Sequence, residues 1–152
     1  MDYPFPENLR FFSYYPEHKD WIRSLDSREE IFAAQWGMHH RAALDHMRGR
    51  PYHLSVYEKM IVNGAEEVDA VFSHWNLRTP EGIESALRLP SAKASDTLEA
   101  GARSQLEAWV HRLDKSTVQR MIGVLRRLDL DFYTASPAPD YARLSEVAGR
   151  SV

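Results

Sequence analysis

The stretch from Ser27 to Met47, SREEIFAAQWGMHHRAALDHM, decides the fold. Ser27 has the hydroxyl of a good N-cap, and Glu30 follows at the spacing of a capping box. Glu29 and Glu30 place negative charge where the helix dipole favours it. Phe32, Trp36, Ala43 and Met47 recur at helical intervals, and Gly49 and Pro51 stop the pattern. The spacing predicts a long helix with those four residues facing inward.

Working outward from that helix, the N-terminal sixteen residues, MDYPFPENLRFFSYYP, change character. Tyr3, Phe5, Phe11, Phe12, Tyr14 and Tyr15 stand among three prolines, which oppose a regular helix and favour extended chain. Free tails are poor in aromatic residues, so these rings are expected to pack, either on their own domain or on a partner. Residues 1–16 therefore read as an extended arm and 17–152 as one helical domain.

Toward the C-terminus the helical pattern repeats. Residues 17–25 suit a short helix. Ser55-Val56-Tyr57-Glu58 reads as a second capping box, and Asn63-Gly64 as an interruption. Residues 65–75 put Val68, Val71, Phe72 and Trp75 on one face. Thr79-Pro80-Glu81 looks like a helix start, with Ile83 and Leu87 inward before Pro90. SAKAS at 91–95 reads as a linker, and Asp96-Thr97-Leu98-Glu99 opens a helix carrying Leu98, Ala102, Leu106, Trp109 and Leu113. Ser116-Thr117-Val118-Gln119 opens another, with Val118, Met121, Ile122, Leu125 and Leu128 inward. Residues 128–132 alternate apolar and acidic and suit a short extended piece, before a turn and a last helix around Tyr141, Leu144 and Val147. No alternating run is long enough for a sheet. The expected fold is all-α, a single compact domain of six to eight helices behind an N-terminal arm.

The 152 residues suffice for a core without staples. With no cysteine, disulfides, thiolate metal sites and cysteine nucleophiles are excluded. The N-terminus lacks the basic and apolar regions of a signal peptide, and no window has the ~18 apolar residues of a membrane span. The expectation is a soluble, cytoplasmic protein without membrane contact. Net charge is −3, unevenly spread: residues 51–100 hold four Lys/Arg and eight Asp/Glu, residues 101–152 eight and six.

Histidines are the natural candidates for chemistry. His39, His46 and His53 are spaced by seven, about 10 Å along a helix, which does not suit one metal ion. His39, following Trp36, is expected to be partly buried and to need a hydrogen-bond partner. With His40 and His46 it forms the candidate acid/base or ligand group. Glu107, His111 and Asp114 are the other well-spaced trio, equally readable as a surface pair and its neighbour. Glu66, Glu67 and Asp69 read as a solvated helix face. No phosphate loop, nucleophile elbow or Walker pattern is present. No metal site or cofactor follows from these residues, and no pattern decides whether the chain is an enzyme.

One stretch resembles the opening of a recognition helix. Leu113-Asp114-Lys115-Ser116-Thr117-Val118-Gln119-Arg120 is similar to that helix in MarR-type winged helix-turn-helix repressors, which implies DNA contact through Lys115, Ser116, Gln119 and Arg120. Residues 103–127 hold six Lys/Arg against two acids, which suits phosphate. The likeness covers about a dozen residues, with Arg112 where the turn usually has glycine and acidic Leu128-Asp129-Leu130-Asp131 in place of a basic wing. The leading expectation is therefore a helical accessory or interaction protein that binds a protein partner or its own copy through the arm aromatics. A small enzyme or active-site-contributing subunit using the histidines comes second, and a DNA-binding regulator third.

Overall fold

The computed structural model describes Phe12, residues 15–87 and residues 106–149 (His111 by its backbone). All regular structure among these residues is helical, with no strand, as the sequence leads one to expect. After a 3-10 turn at Pro16–His18 come α1 (Lys19–Arg23), α2 (Arg28–Met47), α3 (Tyr57–Val62), α4 (Gly64–His74) and α5 (Ile83–Leu87). A second 3-10 turn, Ala108–His111, precedes α6 (Lys115–Arg127) and α7 (Tyr141–Ala148). The chain divides into two compact units, residues 1–49 with 113–151, and residues 50–112. The first boundary between the units falls in the Gly49-Arg50-Pro51 break. The helix start at Asp96 and the residues Leu98 and Ala102 lie outside the described residues.

In the first unit, α2 begins as its sequence dictates. The Ser27 hydroxyl accepts the Glu30 backbone N–H at 3.2 Å and donates to the Glu30 carboxylate, so the N-cap forms on the expected pair of residues. The buried face is not the one expected. Ile31, Ala33, Ala34, Gly37 and Met38 turn inward, while Phe32 and Trp36 are more than a third exposed. Ala43 is exposed as well, and Met47 is half-buried. The reason is fit rather than hydrophobicity. Helix α6 approaches so closely at Gly37 that a Cβ there would stand 2.7 Å from Leu128 Cδ1 and 3.1 Å from Leu125 Cδ2. A face of small residues admits that approach, and one bearing Phe32 and Trp36 does not.

Helix α6 supplies Thr117, Val118, Ile122 and Val124 to the same core. Its N-cap is Asp114, not Ser116, with the carboxylate accepting the Thr117 N–H at 2.9 Å. Residues 128–132 are not extended. Leu130 N–H bonds to the Leu125 carbonyl and Asp129 N–H to that of Arg126, with Asp129 left-handed at φ 56°. This is a Schellman turn with aspartate in the usual glycine position. The expected alternation of burial survives, since Leu128, Leu130 and Phe132 are buried, but a turn creates it. Helix α7, capped by Asp140 and ended by Gly149 at φ 65°, adds Leu144 and Ala148.

In the second unit, α3 and α4 are joined through Asn63 and pack together, and α5 packs on α4. The capping box expected at Ser55 does not form: Val56 occupies the N-cap, without a side-chain bond. Helix α5 starts at Ile83, past the Thr79-Pro80 signal, because Gly82 takes a left-handed φ of 78°. Its Leu87 reaches back to Gly64, where a Cβ would lie 3.1 Å from Leu87 Cδ1. No helix among the described residues is long and apolar enough to cross a membrane.

Candidate functional site

The histidine group of α2 does not assemble into a pocket. His39, His40 and His46 are all exposed, so the expected partial burial of His39 does not occur. Its cause is the rotated inward face, which carries His39 to the solvent side with Trp36. Each of the first two rings is held by its own helix: His39 Nδ1 donates to the Gln35 carbonyl at 2.7 Å and His40 Nδ1 to the Trp36 carbonyl at 2.8 Å. A carbonyl can only accept, so both rings carry a proton on Nδ1. His40 also stacks on Trp36 with ring centroids 3.7 Å apart, and Tyr133 meets that indole edge-on at 5.5 Å.

Of the arm residues, Tyr3, Phe5, Phe11 and Tyr14 lie outside the described residues. Phe12 is half-buried. The Tyr15 hydroxyl donates to Asp45 at 2.7 Å, within its own unit. Burial raises the Tyr15 phenol, and the bond to and charge of Asp45 add to the effect, so that it is pushed up to about 12.

The residues that resemble a recognition helix are used largely within α6 and its seat on α2. Lys115 and Gln119 are exposed. Ser116 donates to Asp114 at 2.6 Å, and Arg120 bonds to Ser116 and Thr117 and lies 3.5 Å from Glu30. The Ser116 bond, with those from the Thr117 backbone and hydroxyl, holds the Asp114 carboxyl well below the usual carboxylate range. Asp114 is thus the helix cap of α6. Among the described residues no group of three or more His, Asp or Glu side chains converges on a metal position.

Two features of the second unit were not singled out from sequence. The first is a shielded imidazole–carboxylate pair. His53, on the coil before α3, places Nε2 3.5 Å from Glu67 Oε1 on α4, with that nitrogen buried and outside hydrogen-bond geometry. The His74 ring lies 5.8 Å from His53 and is met edge-on by Trp75 at 5.0 Å. Glu58 is buried as well. The sequence offered His53 only as a member of a spacing of seven that does not suit a metal, and Glu67 on a solvated face, so nothing in it pairs the two.

The second feature is apolar. Among the described residues eight large hydrophobic side chains are conspicuously exposed, and six of them, Tyr57, Val62, Trp75, Leu77, Leu87 and Val110, belong to residues 50–112. Leu87, expected inward, is 39% exposed, and Trp75 and Leu77 are 58% and 59% exposed. Their positions are locked by the end of α4. Leu77 N–H bonds to the Phe72 carbonyl at 2.9 Å and Asn76 N–H to that of Ser73 at 3.0 Å, with Asn76 left-handed at φ 53°. This too is a Schellman turn, and it holds Trp75 and Leu77 outward on hydrogen-bonded backbone. Asparagine after an apolar run is a recognised signal for such a turn, and it was legible at Trp75-Asn76-Leu77.

No protein-family model, curated protein or solved structure matches this chain.

Proposed function

We propose that this chain is a helical interaction protein and that residues 50–112 carry its partner-binding face. The observation behind the reading is the concentration of exposed large apolar side chains on that unit, with Trp75 and Leu77 presented by a closed turn. Scattered single hydrophobics on a surface need no explanation, but six on one small unit do. Tryptophan and tyrosine are the residues that most often anchor protein interfaces. A turn already fixed by backbone hydrogen bonds loses little freedom when a partner docks, which favours binding. The arm aromatics play a smaller part in this reading, since Tyr15 is spent on Asp45.

Photo-crosslinking in the source cell tests it. A benzophenone side chain replaces Trp75 or Leu77, and in a control Gly123, which is exposed and has nothing within 4 Å of its Cβ position. A discrete protein adduct is expected from positions 75 and 77 and not from 123. Identical adducts at all three positions, or none at 75 and 77, would overturn the reading.

A further inference from the structure

We infer that the partner presents a basic amphipathic segment, an inference that rests on the binding face proposed above. The apolar side chains of that face are interleaved with acids. Glu66 follows Val62 by four positions, Glu81 follows Leu77 by four, and Glu84 precedes Leu87 by three on α5. Glu66, Asp69, Glu81 and Glu84 are all exposed. With Glu58 and Glu67 buried, these four acids stand against Lys59 and Arg78 over residues 51–87, a balance of −2. Arg78 is already 3.1 Å from Glu81. An apolar surface flanked by one sign of charge selects a partner of the other sign, and a like-charged partner is penalised at the same contacts.

Short helices that pack side by side and expose large side chains suit the seating of an amphipathic helix, with anchors about one turn apart. A second copy of this chain does not meet the requirement. Its basic helix, α6, has no acid among residues 115–127, but the apolar side of α6 is committed to α2. The occupant is therefore a cationic amphipathic segment of another protein.

The test uses the full chain and three synthetic peptides of about 18 residues, roughly five helical turns. One patterns leucine with lysine along a helical face, one leucine with glutamate, and one serine with lysine. Fluorescence anisotropy is expected to show saturable binding of the leucine–lysine peptide, about tenfold or more tighter than either control, weakening as salt is raised. The variant E66Q/D69N/E81Q/E84Q should lose about tenfold in affinity for that peptide, and W75S/L77S should lose binding, with circular dichroism showing both variants folded. Equal binding of the lysine and glutamate peptides, binding of neither, or an unaffected charge variant would overturn the inference. A photo-crosslinked partner at Trp75 that proves to be acidic, or the chain itself, would overturn it too while leaving the binding face in place. Loss of the adduct would remove both.

Discussion

The Tyr15 hydroxyl reaches across thirty positions to donate to Asp45 Oδ2 at 2.7 Å. Asp45 lies near the end of α2, where it also accepts from Arg41 and Arg48, each at 2.9 Å. Arg41 in turn stands 3.5 Å from Asp129 in the turn after α6. One carboxylate therefore ties the entry of the chain to the two helices that build the first unit. Burial alone would raise the Asp45 carboxyl, but the bonds from Tyr15 and Arg41 and the charges of Arg41 and Arg48 outweigh it and leave it below its ordinary value.

Y15F should lower stability by about 1 kcal/mol, the usual worth of a single hydrogen bond to a partly exposed group. The pH dependence carries a signature. The folded phenol is pushed up to about 12, whereas the unfolded one titrates near about 10. Between those values the unfolded chain gives up a proton that the folded chain keeps, so stability falls as pH rises through that window. At the acid end the depressed Asp45 contributes stability above the unfolded carboxylate's range and loses it as pH falls toward the folded value. Urea denaturation across pH should show the alkaline slope reduced in Y15F and the acid slope reduced in D45N.

Gly37 and Gly123 should respond to alanine in opposite directions. Both lie within helices, where alanine is favoured by about 0.5–1 kcal/mol. At Gly123 nothing lies within 4 Å of the new methyl, so the gain should appear in full. At Gly37 the methyl meets Leu128 Cδ1 at 2.7 Å, and Leu128 is 2% exposed with little room to yield. Overpacking a core costs about 1–3 kcal/mol, so G37A should lose about 1 kcal/mol net. Thermal unfolding of the two variants decides it, and a stabilised G37A would show that α2 and α6 do not meet there.

The same pair of helices shows what the sequence discloses. Capping and breaking signals act within a few residues, so Ser27, Glu30 and the Asn63-Gly64 junction could be read directly. The face that α2 buries could not. Periodicity marks Phe32 and Trp36 as apolar but cannot say that α6 requires the smaller side chains of Ala33, Ala34 and Gly37. The turn at residues 128–130 reads as extended because Asp129 stands where glycine is the familiar cue. His39 was followed because it lies one helical step from Trp36. His53 and Glu67 were not paired because their meeting depends on tertiary packing between the coil before α3 and α4, not on spacing.

The His53–Glu67 pair should behave as a coupled unit. Removing one member leaves the other shielded from water with a poorer environment, at about 1–3 kcal/mol for an unsatisfied buried group. Removing both takes away that penalty. A double-mutant cycle over H53A, E67A and the double variant should therefore give a double loss smaller than the sum of the singles, by at least about 0.5 kcal/mol. Strict additivity would mean that the 3.5 Å approach carries no energetic coupling.

Trp75 and Leu77 should separate binding from stability. A residue that holds the fold together is expensive to truncate: Ile122, 5% exposed between α6 and its core, should cost about 2–5 kcal/mol as alanine. Trp75 and Leu77 are more than half exposed, and the turn that carries them is closed by backbone bonds that survive a side-chain change. W75S and L77S should therefore each stay within about 0.5 kcal/mol of the parent in chemical denaturation. Each should also reduce capture by a benzophenone side chain placed at the other position, 77 or 75, because buried aromatic and aliphatic anchors account for most of an interface's affinity. A loss of stability as large as that of I122A would mean that these side chains belong to the fold, and the binding face would have to be sought elsewhere.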